Sequence, residues 1–179
     1  IFLDSDVMVF NSLEAVFEAF DKEQADVLLT PHFFQPVVPD GDIGSTIEEE
    51  VLHGGIYNAG FISMRSSEET GRFLSWWKKR LIKHAFWECK SGSFDQYWLS
   101  TAPIFFSKVK IFRHLGANVA CWNLFERNLT KSVSGSFFIN HNIPLLFYHF
   151  SGWQFEKPES TSKIALLLNA QQIAFWEPL

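Results

Sequence analysis

The chain has 179 residues, of which 47% are apolar, with a net charge of −5. That length and composition predict one hydrophobic core and a single domain over residues 1–179. The acidic balance excludes the basic footprint of a nucleic-acid partner. No uninterrupted apolar run approaches the roughly 20 residues of a membrane span, so no integral membrane segment is expected. Two cysteines, Cys89 and Cys121, lack metal-ligand spacing and read as reduced thiols of a cytoplasmic protein.

Ile1-Phe2-Leu3 reads as a buried strand running into Asp4-Ser5-Asp6, and Val7 to Phe10 as a second short extended piece. An opening inside a strand without Met reads as a fragment whose earlier part is missing. Asn11 or Ser12 then caps a helix with Leu13, Val16, Phe17 and Phe20 on its apolar face. Ala25 to Thr30 is a buried strand stopped by Pro31. From Pro31 to Ser45 three prolines and two glycines give loop composition, of the length that often carries function. A short helix over Thr46 to Leu52 and a strand over Ile56 to Met64 follow.

Ser66, with Glu69 three residues on, opens the clearest helix as a capping box. Phe73, Leu74, Trp77 and Leu81 form its buried stripe, and Lys78, Lys79, Arg80 and Lys83 load its C-terminal end. Residues 94–101 read as helix, Val109 to Phe112, Phe137 to Ile139 and Leu145 to Phe150 as strands, and Ile164 to Phe175 as a last helix. Strands alternate with helices, which sets the class as α/β.

Asp4 and Asp6 carry the sharpest chemistry. Ligands of open α/β sheets bind outside the carboxyl ends of the strands, and two carboxylates there, one residue apart, can face one point if the chain turns between them. Like charges so held are costly without a cation. A hard divalent ion, its shell completed by substrate phosphates, answers that cost. The bland alternative is a solvated acidic turn.

Four pieces, Ile1 to Phe10 (IFLDSDVMVF), Tyr57 to Phe61 (YNAGF), Phe94 to Trp98 (FDQYW) and His149 to Gly152 (HFSG), together resemble retaining GT-A glycosyltransferases, most closely glycosyltransferase family 8 and its bacterial relatives. The resemblance implies a GT-A-like (Rossmann-like) mixed sheet flanked by helices, lacking the nucleotide-binding β-α-β part that precedes the D-x-D strand in the family. It implies Mn²⁺ or Mg²⁺ held by Asp4, Asp6 and His149 against a nucleotide-diphosphate sugar, with a UDP-sugar the expected donor and a glycan the expected acceptor. Ser5, Asn58, Ala59, Gly60 and Gly152 would meet the donor. Asp95 and Gln96 would hold the sugar at the reacting centre. The family's Lys-Pro maps to Lys157-Pro158, at a longer spacing after Gly152, with Lys157 on phosphate. Trp122, Trp153 and Phe155 are candidate sugar platforms. The location implied is cytoplasmic, with membrane association open.

Two alternatives stand beside this expectation. A haloacid-dehalogenase-type Mg²⁺-dependent phosphatase also opens on a strand and D-x-D, but wants Thr or Val where Met8 stands and a later strand ending in paired acids. A non-catalytic sugar-binding or scaffolding remnant would keep the fold without the reaction.

Overall fold

The computed structural model describes residues 1–37, 42–84 and 94–152. Its centre is a four-stranded mixed sheet built from β1 (Phe2–Leu3), β3 (Val27–Pro31), β4 (Tyr57–Met64) and β5 (Val109–Ile111), in the order β1-β4-β3-β5. β4 runs antiparallel to β1 and β3, whereas β3 and β5 are parallel. β3 is buried along its whole length and β4 nearly so, which is why both read as continuous apolar runs rather than alternating ones.

Successive side chains of these strands enter different cores, as the two-residue period requires. Leu28 and Phe61 join Val16, Ala19 and Phe20 of helix α1 (Glu14–Lys22) and Phe147. Val27, Leu29 and Ile62 join Phe73 of α3 (Glu68–His84), Leu99 of α4 (Phe94–Leu99) and Ala102 of α5 (Ala102–Phe105). The α/β class is therefore observed as helices packed on a mixed sheet. Helix α2 (Asp42–Gly54) precedes β4.

β2 (Val7–Val9) pairs antiparallel with β9 (Phe147–His149), with Val7 opposite His149. β6 (Leu129–Lys131), β7 (Phe137–Ile139) and β8 (Ile143–Pro144) form an antiparallel meander. Ile139 and Leu145 from this region pack with Val119 and Tyr148 in a third apolar cluster.

Several local expectations shift. The α3 cap is Ser67 rather than Ser66: Ser67 Oγ accepts the Thr70 N–H at 3.0 Å and donates to Thr70 Oγ1 at 3.1 Å. Glu69 instead pairs with Arg72 on the surface. Phe73 and Trp77 keep their expected places in the buried stripe, whereas Leu74 is 39% exposed and Trp76 packs in its stead. Phe17 points outward, and Val16, Ala19 and Phe20 make the α1 core contact. Pro31 ends β3 from inside, opposite Tyr57, after a register shift between Leu29 and Thr30. β1 is half-exposed rather than buried: only Leu3 packs into the core. The expected 31–45 loop already becomes helical at Asp42. The last expected helix lies outside the described residues. Among the described residues, no helix is long and apolar enough to cross a membrane.

Candidate metal centre

The backbone ladder places the acidic pair. β1 runs along β4 with Leu3 opposite Phe61, and the Asp4 N–H donates to the Gly60 carbonyl at 3.0 Å. The chain then turns, with the Val7 N–H donating to the Asp4 carbonyl at 3.1 Å. On leaving the turn it pairs with β9, and the Phe150 N–H closes on the Asp6 carbonyl at 2.8 Å. One turn is thus tied on one side to the Asn58-Ala59-Gly60 segment and on the other to the strand ending in His149.

As a result, one ligand atom each from Asp4, Asp6 and His149 lies within 4.8 Å of the other two. His149 Nε2 is 3.1 Å from Asp6 Oδ1; the imidazole is 4% exposed, the Asp6 side chain 44%. Burial pushes the Asp4 carboxyl above its ordinary range, His149 pulls it part of the way back, and the negative Asp6 and Asp95 push it up again. Burial likewise holds His149 below the ordinary imidazole value, with Asp6 and Asp4 opposing. Both shifts disfavour the charged forms; a divalent cation would offset the first by favouring the Asp4 carboxylate, while the second leaves His149 as the neutral imidazole that can ligate it. Two carboxylates and one imidazole are a donor set that suits Mn²⁺ and accommodates Mg²⁺.

Around this cluster the other expected residues converge. Asn58, 7% exposed, turns its Oδ1 back onto two donors, the Gly60 N–H at 3.1 Å and Asn118 Nδ2 at 3.1 Å, and that oxygen lies 3.2 Å from His149 Nδ1. Its Nδ2 donates to Gln96 Oε1 at 3.4 Å, an oxygen that also accepts the Ala59 N–H at 3.3 Å. Gly60 is glycine for a steric reason. A Cβ there would stand 2.3 Å from His149 Cε1 and 2.8 Å from Asn58 Oδ1, closer than any carbon tolerates.

Gln96 reaches β4 because Gly55, at φ +119°, lets α4 pack against the chain: a Cβ there would lie 2.6 Å from the Gln96 carbonyl. Asp95 precedes it on the first turn of α4, exposed, its Oδ1 accepting the Gln96 N–H at 2.9 Å. Ser5 is exposed between the two acids, and Gly152 is exposed in the turn after β9 at φ +71°. Lys157, Trp153 and Phe155 lie outside the described residues.

Trp122 is not a sugar platform, because it is only 6% exposed. It packs edge-on against His149, with centroids 5.2 Å apart, and against His32 at 5.4 Å. Two contributors, Asn118 and His32, had no mark in the sequence. Asn118 is fully buried at φ +52° and links Asn58 to Thr30 Oγ1 at 3.1 Å. His32 is held by the Ile56 carbonyl at 3.0 Å, and burial drives its imidazole down to about 4. Trp122, read only as a surface ring, backs the histidine. The one available signal was a buried-type position filled by Asn or His between apolar neighbours, which is too common to single out.

The chain is 30% identical over 146 residues to the uncharacterized protein YfnF of Bacillus subtilis (strain 168), covering 79% of this chain and 39% of that protein. It is 25% identical over 154 residues to the uncharacterized protein YfnD of the same bacterium, covering 84% of this chain and 45% of that protein. The chain thus spans less than half the length of either relative. No known protein-family profile matches it. No solved structure matches it.

Proposed function

We propose that this chain is catalytic-domain sequence of a metal-dependent GT-A-type glycosyltransferase that transfers a sugar from a nucleotide diphosphate, expected to be UDP, to a glycan or other acceptor with retention. The observation that supports the reading is convergence. Asp4 and Asp6, Asn58 to Gly60, Asp95 and Gln96, and His149 are far apart in sequence, yet hydrogen bonds and shared charge join them around one point.

Asp4, Asp6 and His149 would hold Mn²⁺ or Mg²⁺, which supplies positive charge against the departing diphosphate. Ser5 stands exposed beside both acids, where a ribose or phosphate oxygen could meet its hydroxyl. Asp95 keeps one carboxylate oxygen beyond its bond to Gln96, and Gln96 keeps its Nε2 as a donor. These are the groups that would orient the sugar for reaction. Lys157 would add a second cationic contact to phosphate. Front-face attack by the acceptor, assisted by the leaving phosphate, gives retention without a protein nucleophile; a double displacement through Asp95 is the rival route. The phosphatase alternative wants a later strand ending in paired acids, whereas β9, the strand beside Asp6, ends in the imidazole of His149.

Calorimetric titration of UDP into the protein with and without Mn²⁺, beside Asp4→Ala/Asp6→Ala, tests the site. Nucleotide binding that requires both metal and the acids is expected. Metal binding with no nucleotide dependence would favour the phosphatase, and no binding of either would leave a scaffold. Product stereochemistry with the complete protein tests the reaction class, and an inverted product would sink it.

A further inference from the structure

We propose that Asn58 is a positioning residue that locks His149 in its Nδ1–H tautomer, so that Nε2 presents a bare lone pair to the Asp4–Asp6 cluster. The inference deepens the reading of that cluster as a cation site and rests on it. The argument starts from a donor whose identity is fixed. The Gly60 backbone N–H can only donate, and it lies 3.1 Å from Asn58 Oδ1, so the amide is oriented with its oxygen at that place. His149 Nδ1, 3.2 Å from the same oxygen, is satisfied there only as a donor. This buried oxygen is fixed by the Gly60 and Asn118 donors, whereas the competing acceptor at Nε2, Asp6, has a side chain 44% exposed that water can satisfy. A neutral imidazole carries one ring proton, and with that proton on Nδ1 the other nitrogen is left unprotonated, 3.1 Å from Asp6 Oδ1.

The ring has little freedom to escape this arrangement. Gly60 offers its bare Cα to the imidazole, since any Cβ would collide with His149 Cε1 and Nδ1. Trp122 closes another side at 84° to the ring. Asn118 Nδ2 holds the Asn58 oxygen in place at 3.1 Å and is itself tied to Thr30 Oγ1. Metal-ligating histidines ordinarily give their second N–H to a carboxylate, carbonyl or water, and losing that partner weakens metal binding about 10- to 100-fold. Here a buried side-chain amide performs that role. The Asn58 side chain is expected from the resemblance to meet the donor sugar, but its carbonyl is already committed to protein.

The test uses ¹⁵N-labelled protein without metal, at a pH where imidazole is neutral, and long-range ¹H–¹⁵N correlation of the histidine rings. His149 is assigned as the signal lost in His149→Gln. A proton on Nδ1 in the unsubstituted protein is expected, and a proton on Nε2 would overturn the proposal without any variant having to fold. Asn58→Leu removes the acceptor and should shift His149 toward Nε2–H while weakening Mn²⁺ binding about 10- to 100-fold. Asn58→Asp keeps an acceptor oxygen, so it should retain the Nδ1–H form and bind Mn²⁺ within about threefold of the parent or tighter. Equal weakening in both variants with an unmoved tautomer would reduce Asn58 to a packing residue. Absence of Mn²⁺ affinity in the unsubstituted protein would end the cation reading, while the metal-free tautomer still decides the part played by Asn58.

Discussion

Asp6 Oδ1 faces His149 Nε2 at 3.1 Å, and with the ring proton on Nδ1 that contact opposes a carboxylate to a lone pair. An amide at position 6 would supply a donor instead. Asp6→Asn is therefore expected to leave the metal-free protein as stable as before or more so, by up to about 0.5 kcal/mol, while abolishing stabilisation by Mn²⁺. Denaturant unfolding with and without Mn²⁺ checks both halves, and a variant that lost stability but kept its Mn²⁺ response would remove Asp6 from the site. His32 gives a residue-scale prediction in pH. Its imidazole titrates near 4 in the folded chain against 6.5 unfolded, so the unfolded state takes up the proton first. The contribution to stability is complete above about pH 6.5, falls as pH drops toward 4, and amounts to on the order of 3 kcal/mol. His32→Gln, which keeps a donor for the Ile56 carbonyl, should flatten that acid limb, and an unchanged pH profile would place the sensitivity elsewhere. Residue identity at the site was legible where residues stand in short motifs, as with Asp4, Asp6, Gln96 and His149. Partnership was not: Asn118 meets Asn58 across 60 positions and His149 meets it across 91. No local pattern encodes contacts made through three strands.

At the scale of elements, the segment after β3 is held by a buried ion pair as well as by ring contacts such as Phe33 with Phe125. Glu126 accepts from the Phe34 N–H at 2.9 Å and the Gln35 N–H at 2.8 Å, and it pairs with Arg127 at 3.1 Å, both side chains at 0% exposure. Arg127 donates to the Ala117 carbonyl at 2.7 Å and lies under the Phe34 ring. Burial lowers its guanidinium to about 10, with Glu126 opposing that fall. Glu126→Leu should leave a buried unpaired cation and cost about 3–5 kcal/mol. Glu126→Leu combined with Arg127→Met should cost less than the sum of the two single changes. Denaturation of the four proteins closes that cycle, and strict additivity would mean the pair does not act as a unit. Element type was legible where an apolar run was continuous, as in β3 and β4, or a helical period was long, as in α3. It failed at the ends and on short pieces. The one-residue drift of the α3 cap reflects two adjacent serines of equal capping chemistry, and Ser67 wins because Thr70 can bond back to it. β6 and β8, three and two residues long, exist because β7 pairs with both, not because of their own propensity.

Over the whole molecule, the sheet and the site share one set of hydrogen bonds. The acidic turn is fastened to β4 through Gly60 and to the end of β9 through Phe150, while β4 is the partner of both β1 and β3 at the centre of the main sheet. A cation bridging Asp4, Asp6 and His149 would therefore clamp β1, β2 and β9 together, and its binding energy becomes stability of the folded chain. At a free Mn²⁺ concentration 100 times the dissociation constant the gain is about 2.7 kcal/mol if the unfolded chain binds none. Thermal unfolding with rising Mn²⁺ should show that increase, and UDP should add to it only when Mn²⁺ is present. Amide exchange gives it a location. The N–H groups of Asp4, Val7 and Phe150, which close the turn, should slow on addition of Mn²⁺, while those of β6 and β7, which hydrogen-bond within a separate meander, should change little. A uniform slowing across the chain that persisted in Asp4→Asn would indicate global stabilisation by an ion bound elsewhere. Slowing confined to the turn and lost in Asp4→Asn would tie the ion to the junction of the two strand ladders.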